Sequence, residues 1–364
     1  MKIFTVVGAR PQFVKAAVVS RKLAATSPQN EEVLVHTGQH YDTNMSQVFF
    51  DELKLPLCNH NLGIGGGTHG QNTGRMIEKL EHLMLVEKPD WVLVYGDTDS
   101  TLAGALAAAK IHIPIAHVES GLRSYNRRMP EEQNRVLTDH LSSILFVPTE
   151  AARTNLLREG IDESRMKLVG DVMLDACLFY KSRARKPTWF EQLGFAADKF
   201  VLCTIHRAEN TDDFERMQQI LEGLGSSELA IVLPIHPRTR KKLQDMNLSL
   251  PPNVSVVDPV GYLEMIWLET NCKLIVTDSG GVQKEAYFYG KPCITVRDET
   301  EWIELVTCGA NRLTGANKTK ISEALLAQPV DLISGNLYGD GTAGAQIVDA
   351  LLSTDAKELV ASER

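Results

Sequence analysis

An α/β fold of two doubly wound parallel sheets is predicted from three features of the chain, and strand ends facing one another across a cleft would bring its polar residues together. Short β-rich runs alternate with longer helical patterns from one end to the other. That rhythm lapses once, over residues 184–199. Polar and charged residues recur immediately after the β-rich runs, at the strand ends where doubly wound sheets bind ligands.

The runs read IFTVV, EVLVH, DWVLVYG, IPIAHVE, SILFVP and MKLVG, then KFVLCTIH, LAIVLPIH, VSVVDP, KLIVTD and PCITV. Strands separated by helical stretches lie parallel, joined by right-handed crossovers and covered by helices on both faces. So many strands overfill one sheet of this kind, and 364 residues exceed the roughly 250–300 at which a single core divides. The stretch ARKPTWFEQLGFAADK, with Pro187 breaking the pattern, places the division just before it, at about residue 170. The expected domains are therefore 1–170 and 171–340. A last helix, GTAGAQIVDALLS, lies within 341–364 after the Gly-rich turn NLYGDG.

A net charge of −8 excludes a nucleic-acid surface as the main function and requires any bound anion to meet a local cluster of cations. The six cysteines show no C-x-x-C pair or matching His spacing, so neither a zinc site nor a disulfide framework is expected. A reducing cytoplasm suits them. No run reaches the roughly 18 apolar residues of a membrane span, and MKIFTVVGAR leads straight into a strand without a cleavage-site pattern.

The first strand-to-helix turn has the outline of a nucleotide-binding turn, yet Gly8 is followed by Ala9, Arg10, Pro11 and Gln12, with Lys15 one turn on. Later strand ends carry Gly96-Asp97-Thr98, Glu119-Ser120-Gly121, His206-Arg207, His236, Ser279-Gly280-Gly281 and Arg297-Asp298. The TDSGGVQKEA turn is the better diphosphate cradle: Ser279 caps the helix, and paired glycines let backbone N–H groups approach phosphate oxygens. Glu285, two turns into that helix, suits a ribose diol as acceptor. Arg10, Lys15 and Arg297 supply cations. Each residue also has a plain reading, as a tight turn, a solvated cation or a cap; PEE at 130–132 reads as a helix start with Pro at N1 and dipole-complementing acids behind it. Capping does not account for polar groups at so many strand ends together.

The motifs GARPQFVK, VLVYGDTDSTLAGALAA, HVESGLRS, MPEEQNRVLTDH, TIHRAEN, VTDSGGVQKEA, GKPCITVRDETE and YGDG, in order from residue 8 to 341, resemble those of the non-hydrolysing UDP-N-acetylglucosamine 2-epimerases. The resemblance implies a glycosyltransferase-B-like pair of Rossmann-like domains with the active site between them. It also implies a last helix returning to the first domain, and a homodimer. It places catalytic acids at Asp97, Glu119 and Glu131, with His206 beside the leaving diphosphate, and UDP-sugar contacts at Arg10, Lys15, Ser279, Gly280, Gly281, Glu285 and Arg297. Two departures stand out. The first turn is Gly-Ala-Arg-Pro-Gln where the family commonly has Gly-Thr-Arg-Pro-Glu, and the stretch Gln39-His40-Tyr41 lacks the arginine of the Q-H-R used by some members to bind an activating UDP-sugar.

The chemistry implied is epimerisation at C2. The C2 proton of an N-acetylated pyranose is too weakly acidic for direct removal, whereas loss of UDP from C1 develops oxocarbenium character beside it. A carboxylate then takes the proton to leave a glycal, and re-addition from the other face inverts C2. Inversion needs acids on both faces, which Asp97, Glu119 and Glu131 supply in number. No cofactor is needed, and with acids on separate loops and histidines lacking i, i+4 partners, no metal is expected. A glycosyltransferase of the same fold and a non-catalytic UDP-sugar sensor remain alternatives. The Gln12 form of the first turn also resembles the branch acting on UDP-2,3-diacetamido-2,3-dideoxyglucuronate in lipopolysaccharide O-antigen synthesis. Gln12 in place of a glutamate would remove a charge repelling the uronate, and Arg127 and Arg128 would be its partners.

Overall fold

The computed structural model describes residues 1–26, 29–38, 58–327 and 336–356, except for the side chain of Arg10. The Gln39-His40-Tyr41 stretch lies outside these residues. The chain forms two compact units, one from Met1–Ala176 with Asn336–Arg364, the other from Cys177–Gly335. The division falls inside the helix Val172–Lys181.

The first unit holds strands β1 (Lys2–Val7), β2 (Glu31–His36), β3 (His60–Asn61), β4 (Trp91–Tyr95), β5 (Ile115–Val118), β6 (Ile144–Val147) and β7 (Met166–Leu168). They form one sheet in the order β3-β2-β1-β4-β5-β6-β7, every pair parallel. The second unit holds β8 (Phe200–Thr204), β9 (Ala230–Pro234), β10 (Val254–Val257), β11 (Leu274–Thr277), β12 (Cys293–Thr295) and β13 (Asn311–Leu313). Their order is β10-β9-β8-β11-β12-β13, again all parallel. Each sheet thus winds outward in both directions from a switch point, between β1 and β4 in one and between β8 and β11 in the other.

Each β-rich run of the sequence forms a strand. Two strands escape that reading because their chemistry hides them. β3 is two polar residues long, and β13, Asn-Arg-Leu, shows neither alternation nor an apolar run. The lapse at 184–199 also has a cause: its apolar residues form a plug beneath the second sheet. Phe190, at the start of a short 3-10 turn, is buried with its ring centroid 5.1 Å from Phe200 and 4.7 Å from Trp267.

Small residues bring helices close to the sheet ends. The helix Asp99–Lys110 reads DSTLAGALAAAK, and a Cβ at Gly104 would stand 3.2 Å from the side chains of both Val6 and Val94. The last described helix, Ala343–Ser353, packs on Arg10–Thr26, where a Cβ at Gly344 would come within 2.5 Å of Val18. Asp175 secures its start by accepting from the N–H groups of Ala343 (3.2 Å) and Gly344 (2.9 Å). No helix among the described residues is long and apolar enough to cross a membrane.

Candidate functional site

In the first unit one buried side chain ties the switch point together. Gln12 Oε1 accepts from the N–H groups of Gly8 (2.8 Å) and Ala9 (3.0 Å), while Nε2 donates to the Tyr95 carbonyl (2.7 Å) and meets the Thr98 and Thr101 hydroxyls at 3.0 and 2.9 Å. Gln12 therefore clamps the turn after β1 to the end of β4. The sequence reading sets Gln12 near a bound sugar; here both ends of its amide are engaged inside the unit. Gly8 is held to glycine by space: a Cβ there would lie 2.0 Å from Ser100 Oγ.

Around this clamp stand the candidate acids. Lys15 and Glu119, both buried, form an ion pair. Glu119 adopts φ +72°, rare for a residue with a side chain and the kind of local strain that gathers at functional sites. Gly96, at φ +63°, leaves room for the pair, since a Cβ there would meet Glu119 Oε2 at 3.3 Å and Lys15 Nζ at 3.5 Å.

Asp97, the next residue, keeps 29% of its side chain exposed and pairs with the buried Arg135. Arg135 also reaches Glu132 at 2.5 Å. Glu132 in turn accepts from the Ser124 N–H and hydroxyl and from the Tyr125 N–H, each at 2.9 Å. Burial works to raise the Glu132 carboxyl, but these hydrogen bonds and the Arg135 charge overcome it and hold it below the ordinary range. Its neighbour Glu131, half-buried in the first turn of the helix Pro130–Leu141, makes no hydrogen bond or ion pair among the described residues. Pro130 does start that helix, and the two acids behind it divide into a structural one and an unengaged one.

Beneath these loops His117, with no exposed surface, bridges two strand ends. Its Nε2 donates to the Gly96 carbonyl at 2.7 Å and its Nδ1 lies 2.8 Å from Asp139. Asp139 also accepts from the Gly121 N–H (3.1 Å) and from Arg123 (2.7 Å). Burial pushes the Asp139 carboxyl up, and His117 with Arg123 pulls it below its usual value.

The second unit repeats the design with a carboxylate. Asp278, buried after β11, accepts from the N–H groups of His206 (3.1 Å) and Arg207 (3.0 Å), which follow β8, and from Asn210 (3.2 Å). His206 Nδ1 lies 3.1 Å from the same carboxylate, with 54% of the His206 side chain exposed. Burial pushes Asp278 up, and the hydrogen bond and charge of His206, with the Arg207 N–H, bring it below the usual range.

Ser279 caps the helix Gly280–Phe288, its hydroxyl accepting from the Val282 N–H at 3.4 Å. The first-turn N–H groups of such a helix lack intrahelical acceptors and form an anion site. Neither glycine has positive φ. At Gly280 a Cβ would stand 2.5 Å from Glu301 Oε1, the far end of a side chain, while at Gly281 the nearest atom would be 3.9 Å away. Glu285 is buried. Arg297, 1% exposed, pairs with Glu301 at 2.9 Å.

Lys15, Asp97, Glu119 and Glu131 thus lie in the first unit, and His206, Ser279, Gly280, Gly281, Glu285 and Arg297 in the second. Arg127 and Arg128 are exposed in the loop before Pro130. The supporting roles of Arg135, Glu132, His117, Asp139 and Asp278 were not read from the sequence, although all lie inside the motifs. The spacing Glu132-Arg135-Asp139, i, i+3 and i, i+7 on one helix face, was the available signal.

Comparison with known proteins bears directly on this arrangement. The family model described as UDP-N-acetylglucosamine 2-epimerase matches residues 22–352. A Pseudomonas aeruginosa protein named UDP-2,3-diacetamido-2,3-dideoxy-D-glucuronate 2-epimerase is 54% identical over 359 residues, covering 96% of this chain and 99% of its own. The UDP-N-acetylglucosamine 2-epimerase of Methanocaldococcus jannaschii is 46% identical over 369 residues, covering 96% of this chain and 99% of its own. A crystal structure of the Methanocaldococcus jannaschii UDP-GlcNAc 2-epimerase in complex with UDP-GlcNAc and UDP superimposes with a TM-score of 0.88 at 45% identity, covering 97% of this chain and 100% of that one. This chain belongs to the UDP-N-acetylglucosamine 2-epimerase family.

Proposed function

We propose that the protein is a UDP-sugar C2-epimerase that eliminates UDP and re-adds it through a glycal. The observation that carries this reading is the trio of acids in the first unit: Glu119 against Lys15, Asp97 against Arg135, and Glu131 unengaged. An inversion that removes a proton from one face and returns one to the other needs such groups in number, each held differently. The C1–O bond to UDP breaks with its electron pair leaving on the diphosphate. A carboxylate takes the C2 proton, and the C1–C2 double bond forms. Reprotonation at C2 from the opposite face and attack of UDP oxygen on C1 reverse the steps.

Nucleotide binding is assigned to the second unit, where the first turn of Gly280–Phe288 offers N–H groups to phosphate and Glu285 accepts from the ribose diol. His206 and Arg297 stabilise charge on the departing diphosphate, and Arg10 and Lys15 serve the UDP-sugar from the first unit. The working form is a homodimer in the cytoplasm, needing no cofactor. A second reading, UDP-2,3-diacetamido-2,3-dideoxyglucuronate as the sugar, is favoured by the Pseudomonas aeruginosa relative. Incubating the protein with each sugar nucleotide in deuterium oxide and following C2 by NMR tests both. Epimerisation with solvent deuterium at C2 of the product is expected. Inversion retaining the substrate's own C2 hydrogen would exclude the elimination route, and the ratio of kcat/KM for the two sugars names the substrate.

A further inference from the structure

The helix Tyr262–Asn271 carries a residue that none of this chemistry uses. Glu269 has no exposed surface, and neither of its carboxylate oxygens accepts a hydrogen bond from any donor group among the described residues. Its carboxyl meets that of Glu285, on the helix Gly280–Phe288. Two ionised carboxylates are acceptors only, so they cannot hydrogen-bond one another. Like charges in contact inside a protein cannot both ionise. One hydrogen must therefore sit between them.

We propose that Glu269 is a positioning residue that carries this hydrogen and donates it to Glu285, fixing the Glu285 carboxylate as a pure acceptor for the two hydroxyls of a nucleoside's ribose. The division of roles follows from burial. Glu269 is wholly enclosed, whereas Glu285 keeps some contact with solvent, and the more deeply buried acid is the one that stays neutral. Burial and the Glu285 charge both push the Glu269 carboxyl well above the ordinary range. The other titratable groups whose charge is felt at Glu269 are Tyr262, Tyr289, Cys272 and Cys293, all displaced upward by burial and so uncharged at neutral pH. The assignment rests on the nucleotide reading of the second unit, and its test separates the two.

Infrared difference spectra of the wild type against Glu269→Gln, at neutral pH, read the proton directly. The carbonyl stretch of a protonated carboxyl is expected in the wild type and lost in the variant; its absence from the wild type overturns the proposal. UDP titrations then read the role. Glu269→Gln, whose amide still donates, should bind UDP as the wild type does. Glu269→Leu, which cannot donate, should bind it about 10- to 100-fold more weakly, and the difference should vanish for 2′,3′-dideoxyuridine diphosphate. Wild-type affinity in Glu269→Leu, or an equal loss for both nucleotides, overturns the positioning role. If Glu269→Leu does not fold, the infrared comparison and Glu269→Gln binding decide. A wild type that binds no UDP would defeat the nucleotide reading, and the infrared band would still decide whether the pair of carboxyls holds a proton.

Discussion

Gln12 donates its side-chain N–H to the Tyr95 carbonyl at 2.7 Å, so the turn after β1 and the end of β4 are fastened by one amide. A carboxylate cannot make that bond, because it has no hydrogen to give. Gln12→Glu should therefore lower stability by about 1–3 kcal/mol, measured by urea denaturation, while the ratio of kcat/KM between neutral and uronate sugars stays constant. A shift in that ratio with unchanged stability would restore the view of Gln12 as a sugar-facing residue.

Lys15 and Glu119 should behave as one unit. With its buried cation removed, Glu119 is left as an uncompensated charge in a loop already at positive φ. Lys15→Met is expected to cut turnover about 100- to 10,000-fold. The double variant Lys15→Met/Glu119→Gln should be no worse than either single one, since coupled residues are not additive. Additive losses in the cycle would separate the two functions.

The adjacent acids Glu131 and Glu132 should part company. Glu131→Gln removes an unengaged carboxylate and is expected to lower kcat with the melting temperature unchanged. Glu132→Gln disturbs bonds to Ser124, Tyr125 and Arg135, and should lower the melting temperature.

Two buried carboxyls displaced in opposite directions should give opposite pH signatures. Asp278 is held low in the folded state, so its contribution is complete above the unfolded value near 3.9 and is lost as pH falls through the folded one. The stability gap between wild type and Asp278→Asn should accordingly be wide at pH 7 and close in acid. Glu269 is held high, so its stabilising effect is complete below about pH 4.3 and is lost as pH rises toward its folded value. Glu269→Gln should gain on the wild type as pH rises from 4 to 8. Thermal melts across that range check both.

Asp175 joins the last described helix to the rest of the first unit through the Ala343 and Gly344 N–H groups. Asp175→Ala should cost about 1 kcal/mol, and amide exchange along Ala343–Ser353 should quicken more than in β1 or β4.

The alternation of apolar runs with helical patterns, read from the sequence, established the two parallel sheets, because burial on both faces forces strands such as WVLVY to be apolar throughout. The same alternation located the strand ends, and with them Asp97, Glu119 and Ser279. Spacing along the chain could not say which polar group faces which across a switch point. Asp97 finds Arg135 38 residues away, Lys15 finds Glu119 104 away, and Asp278 reaches back 72 to His206. Such pairings follow from strand order and register, which bring distant loops to one edge of a sheet. Only the folded chain therefore showed that Gln12 is a clamp, that Arg297 pairs with Glu301, and that one of the two acids at 131 and 132 is structural. Chemical type is local, whereas the burial and contact that brace one acid and leave another unengaged are set by tertiary packing.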